Sequence, residues 1–167
     1  MENGDHSDCL QSYAGGSGMV FSGNYEHDNL CQGFFIKDGA ASNVTMDNNL
    51  FIKGLGTGDT TNLYQISNFQ VHNNTIADGK GFMLRGGGGP ATIDHNVIDS
   101  FATTDTPWTG VTEGNDWFGQ VSAFSPSSTT QVGGTPPFAN TAALDYRLTD
   151  GSGRGVDWTP AQKHFGP

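Results

Sequence analysis

Apolar residues alternate with polar ones in short bursts along this chain, and the bursts recur. Met19 and Phe21, Val44 and Met46, Phe69 and Val71, and Ala91 and Ile93 each stand two apart, with Val20, Thr45, Gln70 or Thr92 between them. Such alternation turns one set of side chains inward and the other outward on a β-strand. Three residues beyond the second apolar position comes an asparagine: Asn24, Asn49, Asn74 and Asn96, spaced by 25, 25 and 22 residues. Self-similarity at a period of that size is the signature of a solenoid. Asn-Asn, Gly and Pro interrupt every window long enough to show three- and four-residue helical spacing, so the chain reads as all-β.

The asparagines have a physical reason. Asn tolerates left-handed backbone geometry at a tight bend, and its amide both donates and accepts. One such residue is a turn former; four in register predict a ladder of hydrogen bonds between stacked coils. A single coil cannot bury its own inner face, whereas coils stacked at about 4.8 Å pair their strands and share one core. His27, His72 and His95 sit at or near the turns, where surface or ladder-supporting roles are expected, and Gly54 to Asn62 reads as a surface loop.

The phrase Ser42-Asn43-Val44-Thr45-Met46-Asp47-Asn48-Asn49-Leu50-Phe51 resembles the repeat of the pectate-lyase-like superfamily, which ends in Asn-Val-Thr-Ile-x-x-Asn-x-Ile. The similarity covers residues from about 6 to 101. It implies a right-handed parallel β-helix of about four to five coils, with an Asn ladder and a C-terminal cap. The coils would occupy residues 1–120, and 121–167 would form the C-terminal loop and capping segment of the same domain. A fifth, irregular coil is expected at Val111 to Phe118, with Asn115 at the ladder position. Trp108, Trp117 and Trp158 are expected to pack in the closing coils and the tail.

Composition refines this picture. Hydrophobic residues make up only 34% of the 167 and glycine reaches 25, which suits a narrow solenoid with few core residues per coil and many turns. The net charge of −10 argues against general nucleic-acid or anionic-membrane binding. It also opposes an acidic polysaccharide unless cations or a local basic patch intervene. Met1-Glu2-Asn3-Gly4-Asp5 is polar and runs almost directly into repeat-like sequence, so further N-terminal coils or an oligomeric partner are expected to cover the exposed strand edge. The resemblance places such proteins outside the cell or at its surface, and polysaccharide is the partner it implies.

Candidate chemistry comes from counting back from each ladder asparagine. Cys9 to Ser12 then falls where Phe35 to Asp38 and Met83 to Arg85 fall, and Gln11, Lys37 and Arg85 point outward in one column. Either Tyr64 or Gln65 takes the corresponding place in the third coil, and Asp38 stands beside the column. In the resembled family this strand set floors a sugar-binding groove. Its polysaccharide lyases neutralise a uronate carboxylate, remove the adjacent ring proton with a base that is often Lys or Arg, and eliminate the glycosidic oxygen. On that resemblance Lys37 and Arg85 are the candidate base and carboxylate-neutralising groups, with Gln11, Tyr64, Gln65 and Asp38 binding the sugar. His6 and Asp8 form a second candidate pair, equally read as hydrogen-bonding a neighbouring loop. Asp5 and Asp8 can offer oxygen ligands to calcium, although Asp is also an ordinary turn residue.

A hydrolase would need two carboxylic acids across the scissile bond. Asp5-x-x-Asp8-Cys9-Leu10 is similar to the Asp-Asp-Cys-Ile phrase of polygalacturonase-like hydrolases, but Ser7 stands where one Asp is required. A different class of reading is a non-catalytic solenoid, adhesin-like or tailspike-like, that binds glycan or spaces other domains. Cys9 and Cys31 do not align with one another, and Cys9 is expected as a buried, inert thiol.

Overall fold

In a computed structural model the chain winds as a parallel β-solenoid of about four turns. The structure describes residues 10–27, 33–37, 39–52, 61–103 and 106–163. Successive turns build three faces. The first comprises Leu10–Tyr13, Phe34–Lys37 and Thr61–Tyr64, then the later parts of Thr75–Arg85 and Val97–Thr103. The second comprises Gly16–Ser17 with Val20–Ser22, then Ala41–Asp47, Ile66–His72, Ala91–Asp94 and Val111–Gly114. The third runs from Tyr25–Glu26 and Leu50–Phe51 through the starts of the two long strands to Trp117–Val121 and Gln131–Val132. Neighbouring strands of these faces pair in parallel.

The alternation read from the sequence sets which side chains enter the core. Val44, Phe69 and Ala91 stack inward on the second face, as do Met46, Val71 and Ile93. Ile36, Leu63 and Leu84 do the same on the first face, and Phe51, Ile76, Ile98 and Phe118 on the third. Toward the C-terminal end the filling becomes aromatic: Phe101 meets Phe82 at 5.0 Å between ring centres and Phe124 at 5.2 Å. Trp108 and Trp117 are buried, as expected of packing residues. Thr61 and Asn62, expected at the end of the surface loop, belong instead to a strand, where Asn62 pairs with Phe35 and Met83.

The ladder lies at the corner between the second and third faces. Asn24, Asn49 and Asn74 each donate Nδ2 to the next coil's Oδ1, at 2.8, 2.8 and 3.0 Å. Each backbone N–H reaches the same oxygen at 3.0 to 3.1 Å. The residue just before each rung takes left-handed geometry, with φ of 55, 53, 56 and 58° at Asn48, Asn73, His95 and Asn115. The fifth rung is therefore Asp116: its Oδ1 accepts from Asn96 N and Nδ2 at 2.6 and 2.8 Å. Asn115, expected on that rung, is the bend residue before it.

After Gln131–Val132 the chain turns back along the solenoid. Phe138–Asn140 and Asp145–Leu148 form an antiparallel pair. Tyr146, Val156 and Trp158 make a second core with Leu50, Ile52 and Ala77 on the outside of the third face. Arg154 Nε donates to Asn115 O at 3.0 Å, Gly155 N to His95 O at 2.6 Å and Val156 N to Thr75 Oγ1 at 3.0 Å. Trp158 Nε1 then donates to Asn48 Oδ1 at 2.8 Å. The closing segment thus straps the flank of the coils from the fifth back to the second. Gly155 is required there: at φ +71° an added Cβ would lie 2.4 Å from Thr75 Oγ1.

Candidate functional site

The first face carries the site. Its strands register Tyr13 on Lys37, Ile36 on Leu63, and Tyr64 on Arg85. Lys37 and Tyr64 each come directly after that paired Ile36 or Leu63, so Tyr13, Lys37, Tyr64 and Arg85 occupy four successive rungs. Ser12, Ile36, Leu63 and Leu84 precede them, and the last three are core residues, so alternation turns the four outward. At about 4.8 Å per rung, the two cations stand roughly 10 Å apart with a tyrosine between them.

A left-handed bend sits directly after the column in three of these strands. Ala14, Gln65 and Gly86 take φ of 61, 49 and 68° and turn the chain onto the second face. Ala14 N donates to Lys37 O and Gln65 N to Arg85 O, both at 3.0 Å. At Gly86 the missing side chain also makes room, because a Cβ would meet Tyr64 Cζ at 3.0 Å. The Tyr64 ring therefore lies against the backbone beside Arg85 and is half-buried, whereas Tyr13, Lys37 and Arg85 are exposed.

Two expectations about the column change. Gln11 pairs with Phe35, two residues before Lys37, so it stands beside the column, and Tyr13 takes the place expected for it. Of the alternatives in the third coil, Tyr64 is the column residue and Gln65 is the bend. Counting back from the ladder misplaced the first coil because the second-face stretch between column and ladder varies in length: the ladder asparagines follow Tyr13, Lys37, Tyr64 and Arg85 by 11, 12, 10 and 11 residues. The missed residue, Tyr13, carried a usable signal: like Tyr64 and Arg85 it stands immediately before a left-handed bend.

Beside the column, Phe35 and Asn62 face outward yet are almost fully buried, at 7% and 6% exposure, next to partly exposed Met83. Among the described residues neither Lys37 nor Arg85 has an ion-pair partner; the pairs formed there are His72 with Asp94, His95 with Asp94, and Arg147 with Asp145. Two of the chain's seven Lys and Arg thus stand in one column, without a described acidic partner, in a protein of net charge −10.

A second polar column runs along the second face, with Ser22, Asp47, His72 and Asp94 on successive rungs. Ser22 Oγ donates to Asp47 Oδ2 at 3.3 Å. His72 places Nδ1 against Asp94 Oδ1 and Nε2 3.3 Å from Gln70 Oε1. Both ring nitrogens and both Asp94 oxygens are engaged, since His95 Nδ1 lies 3.4 Å from Asp94 Oδ2. His72 thus ties one coil to the next through Asp94, in keeping with the supporting role expected of it, and His95 adds a contact to the same carboxylate.

His6, Asp8, Asp5 and Asp38 lie outside the described residues, as do Cys9 and Cys31. Among the described residues no group of three His, Cys, Asp or Glu side chains is arranged to hold a metal ion. A cavity of about 330 Å³ at the N-terminal end of the core is lined by Leu10, Phe21, Asn24, Tyr25, Phe34 and Phe51 among others, away from the column. No described helix is long and apolar enough to cross a membrane.

The fold and the column define a class, a parallel β-solenoid with an internal Asn ladder and one outward row of alternating aromatic and cationic side chains. Comparison with protein-family models, curated proteins and solved structures gives no match.

Proposed function

We propose that this protein is an extracellular, polysaccharide-active β-solenoid of the pectate-lyase-like kind that engages an acidic glycan along the first face. The observation that supports this most is the unbroken register of Tyr13, Lys37, Tyr64 and Arg85. Sugars present apolar faces to aromatic rings and uronates present carboxylates to cations. A row that alternates the two at rung spacing matches a linear acidic polymer lying parallel to the solenoid axis. Two cations in one row of an otherwise acidic protein also focus attraction on that row.

The reaction this arrangement fits is β-elimination or related uronan chemistry. One of Lys37 and Arg85 neutralises the uronate carboxylate, which makes the adjacent ring C–H acidic, and the other, acting in its uncharged form, accepts that proton. In elimination the electron pair forms a ring C=C bond as the bond to the glycosidic oxygen breaks, and that oxygen leaves with a proton taken from water. In epimerisation the same carbanion is reprotonated from the opposite side. Tyr13 and Tyr64 hold the flanking sugars. Calcium, the cofactor carried by the resemblance, would draw on Asp5 and Asp8, and no step here passes through it.

A second reading is a glycan-binding module without catalysis. It is favoured by the exposure of Lys37 and Arg85: two solvent-facing cations in a row can hold the carboxylates of a polyuronate with no proton transfer. One experiment decides among these outcomes. Alginate, pectate and glycosaminoglycans are incubated with the protein, with and without calcium, while unsaturated-uronate absorbance and binding are both followed. Absorbance that grows and disappears in Lys37→Ala or Arg85→Ala supports elimination, and altered uronate composition without it supports epimerisation. Binding alone supports the module, and the absence of both on every polyuronate sinks the proposal.

A further inference from the structure

The Asn ladder ends in an acid. On the inner rungs Asn74 Nδ2 donates to Met46 O and His72 O, and Asn96 Nδ2 to Val71 O and Asp94 O, all at 2.9 Å. Asp116 has no side-chain N–H to continue this pattern. Its Oδ1 serves Asn96, whereas Oδ2 is buried with no hydrogen-bond donor among the described residues. The Glu113 carboxyl lies beside it on the same coil. The two oxygens of Glu113 accept from Ser127 N, at 2.6 Å, and from the Thr130 hydroxyl. The segment after the coil is tied to the same place: Asp116 N donates to Thr130 Oγ1 at 3.2 Å and Gln131 N to Asp116 O at 3.0 Å.

We propose that Glu113 and Asp116 share one proton, and that this proton latches residues 127–133 onto the last coil, so that the C-terminal end loosens when it is lost. A proton between the two carboxyls supplies the donor that Asp116 Oδ2 lacks; without it a fully buried carboxylate and a half-buried one beside it repel each other. A metal cation is the competing occupant. Three of the four oxygens are already engaged, Asp116 has no accessible surface, and calcium takes six to eight oxygen ligands. The proton is the cation that fits.

Burial is the largest effect on Asp116 and pushes its carboxyl up to about 7; the Asn96 bonds pull the other way and Glu113 adds to the rise. The other charged or titratable groups around the rung are Asp94 and His95 on the preceding coil and Arg154, whose Nε binds Asn115 O. The segment 127–131 faces it with Ser127, Thr129 and Thr130. A folded-state value raised above the usual 3.8 stabilises the fold fully below 3.8, and that contribution is lost as pH rises through about 7.

The test is hydrogen exchange of the full chain between pH 5.5 and 8.5, corrected for intrinsic rates, in wild type, Asp116→Asn and Glu113→Gln, with and without calcium. The expected result is that the amides of Gln131 and Gly133 lose protection by about tenfold or more on crossing neutral pH. Asp116→Asn, which restores an amide to the ladder, should keep them protected throughout. Glu113→Gln should move the midpoint to lower pH, because an amide beside Asp116 favours its charged form. Wild-type protection that does not change with pH, or an Asp116→Asn variant with the wild-type pH dependence, overturns the proposal. So does calcium restoring protection at pH 8.5, which would assign the place to a cation.

Discussion

Asn74 accepts two hydrogen bonds through one oxygen and places the two N–H groups of its amide among three acceptors, Met46 O, His72 O and Asn96 Oδ1, with no solvent contact. Replacing it by Ala would leave the Asn49 backbone N–H without its acceptor and would cut the Asn49 side-chain amide back to its bond with Phe21 O. A buried orphan costs about 1–3 kcal/mol and a lost ordinary bond about 1 kcal/mol, so Asn74→Ala should lower unfolding stability by roughly 3 kcal/mol. A denaturant midpoint within about 1 kcal/mol of wild type would mean that the ladder is ornamental. The asparagine positions were legible in the sequence because a bend and an amide are both local requirements. Which residue ended the ladder was not. Asn115 and Asp116 are adjacent, and only the left-handed turn at Asn115 decides that the acid occupies the rung.

At the scale of strands, the column depends on register. Four of the first-face strands end on an outward residue, and the pairing places those outward residues on one line. Lys37, Tyr64 and Arg85 were legible as candidates because each comes after an apolar core position at the end of a strand. Tyr13 was not, since Ser12 precedes it and the unequal stretches between column and ladder defeat counting back. The corrected register makes a discriminating prediction. Tyr13→Ala should weaken binding to an acidic oligosaccharide by about tenfold, the worth of one stacked ring at roughly 1.4 kcal/mol. Gln11→Ala should leave it nearly unchanged, and isothermal titration would read both. The reverse order of effects would return the first coil to the register expected from the sequence. Gly86→Ala tests the same element from below: a Cβ there displaces the Tyr64 ring from beside Arg85 and strains a bend at φ +68°, and weaker binding together with lower stability should result.

For the whole molecule, the closing segment makes the solenoid a single cooperative body. Coils in a repeat protein touch only their neighbours, whereas the strap joins the fifth coil to the second through Arg154, Gly155, Val156 and Trp158. Trp158→Ala removes both the bond to Asn48 and a buried indole, and should cost about 3–5 kcal/mol. The loss should appear as a lower midpoint common to circular dichroism and fluorescence; early melting of the strap with the coils unchanged would show that they do not depend on it. The alternating apolar positions, the spaced asparagines and the glycine-rich bends determined by themselves that this chain is a stacked parallel solenoid, because strand period and turn geometry are properties of neighbouring residues. Tertiary structure alone decided which four residues share the outward column, that Asp116 closes the ladder beside Glu113, and that the tail lies along the flank. Those features join residues from separate coils, and their register depends on how much chain each turn consumes before the strands pair.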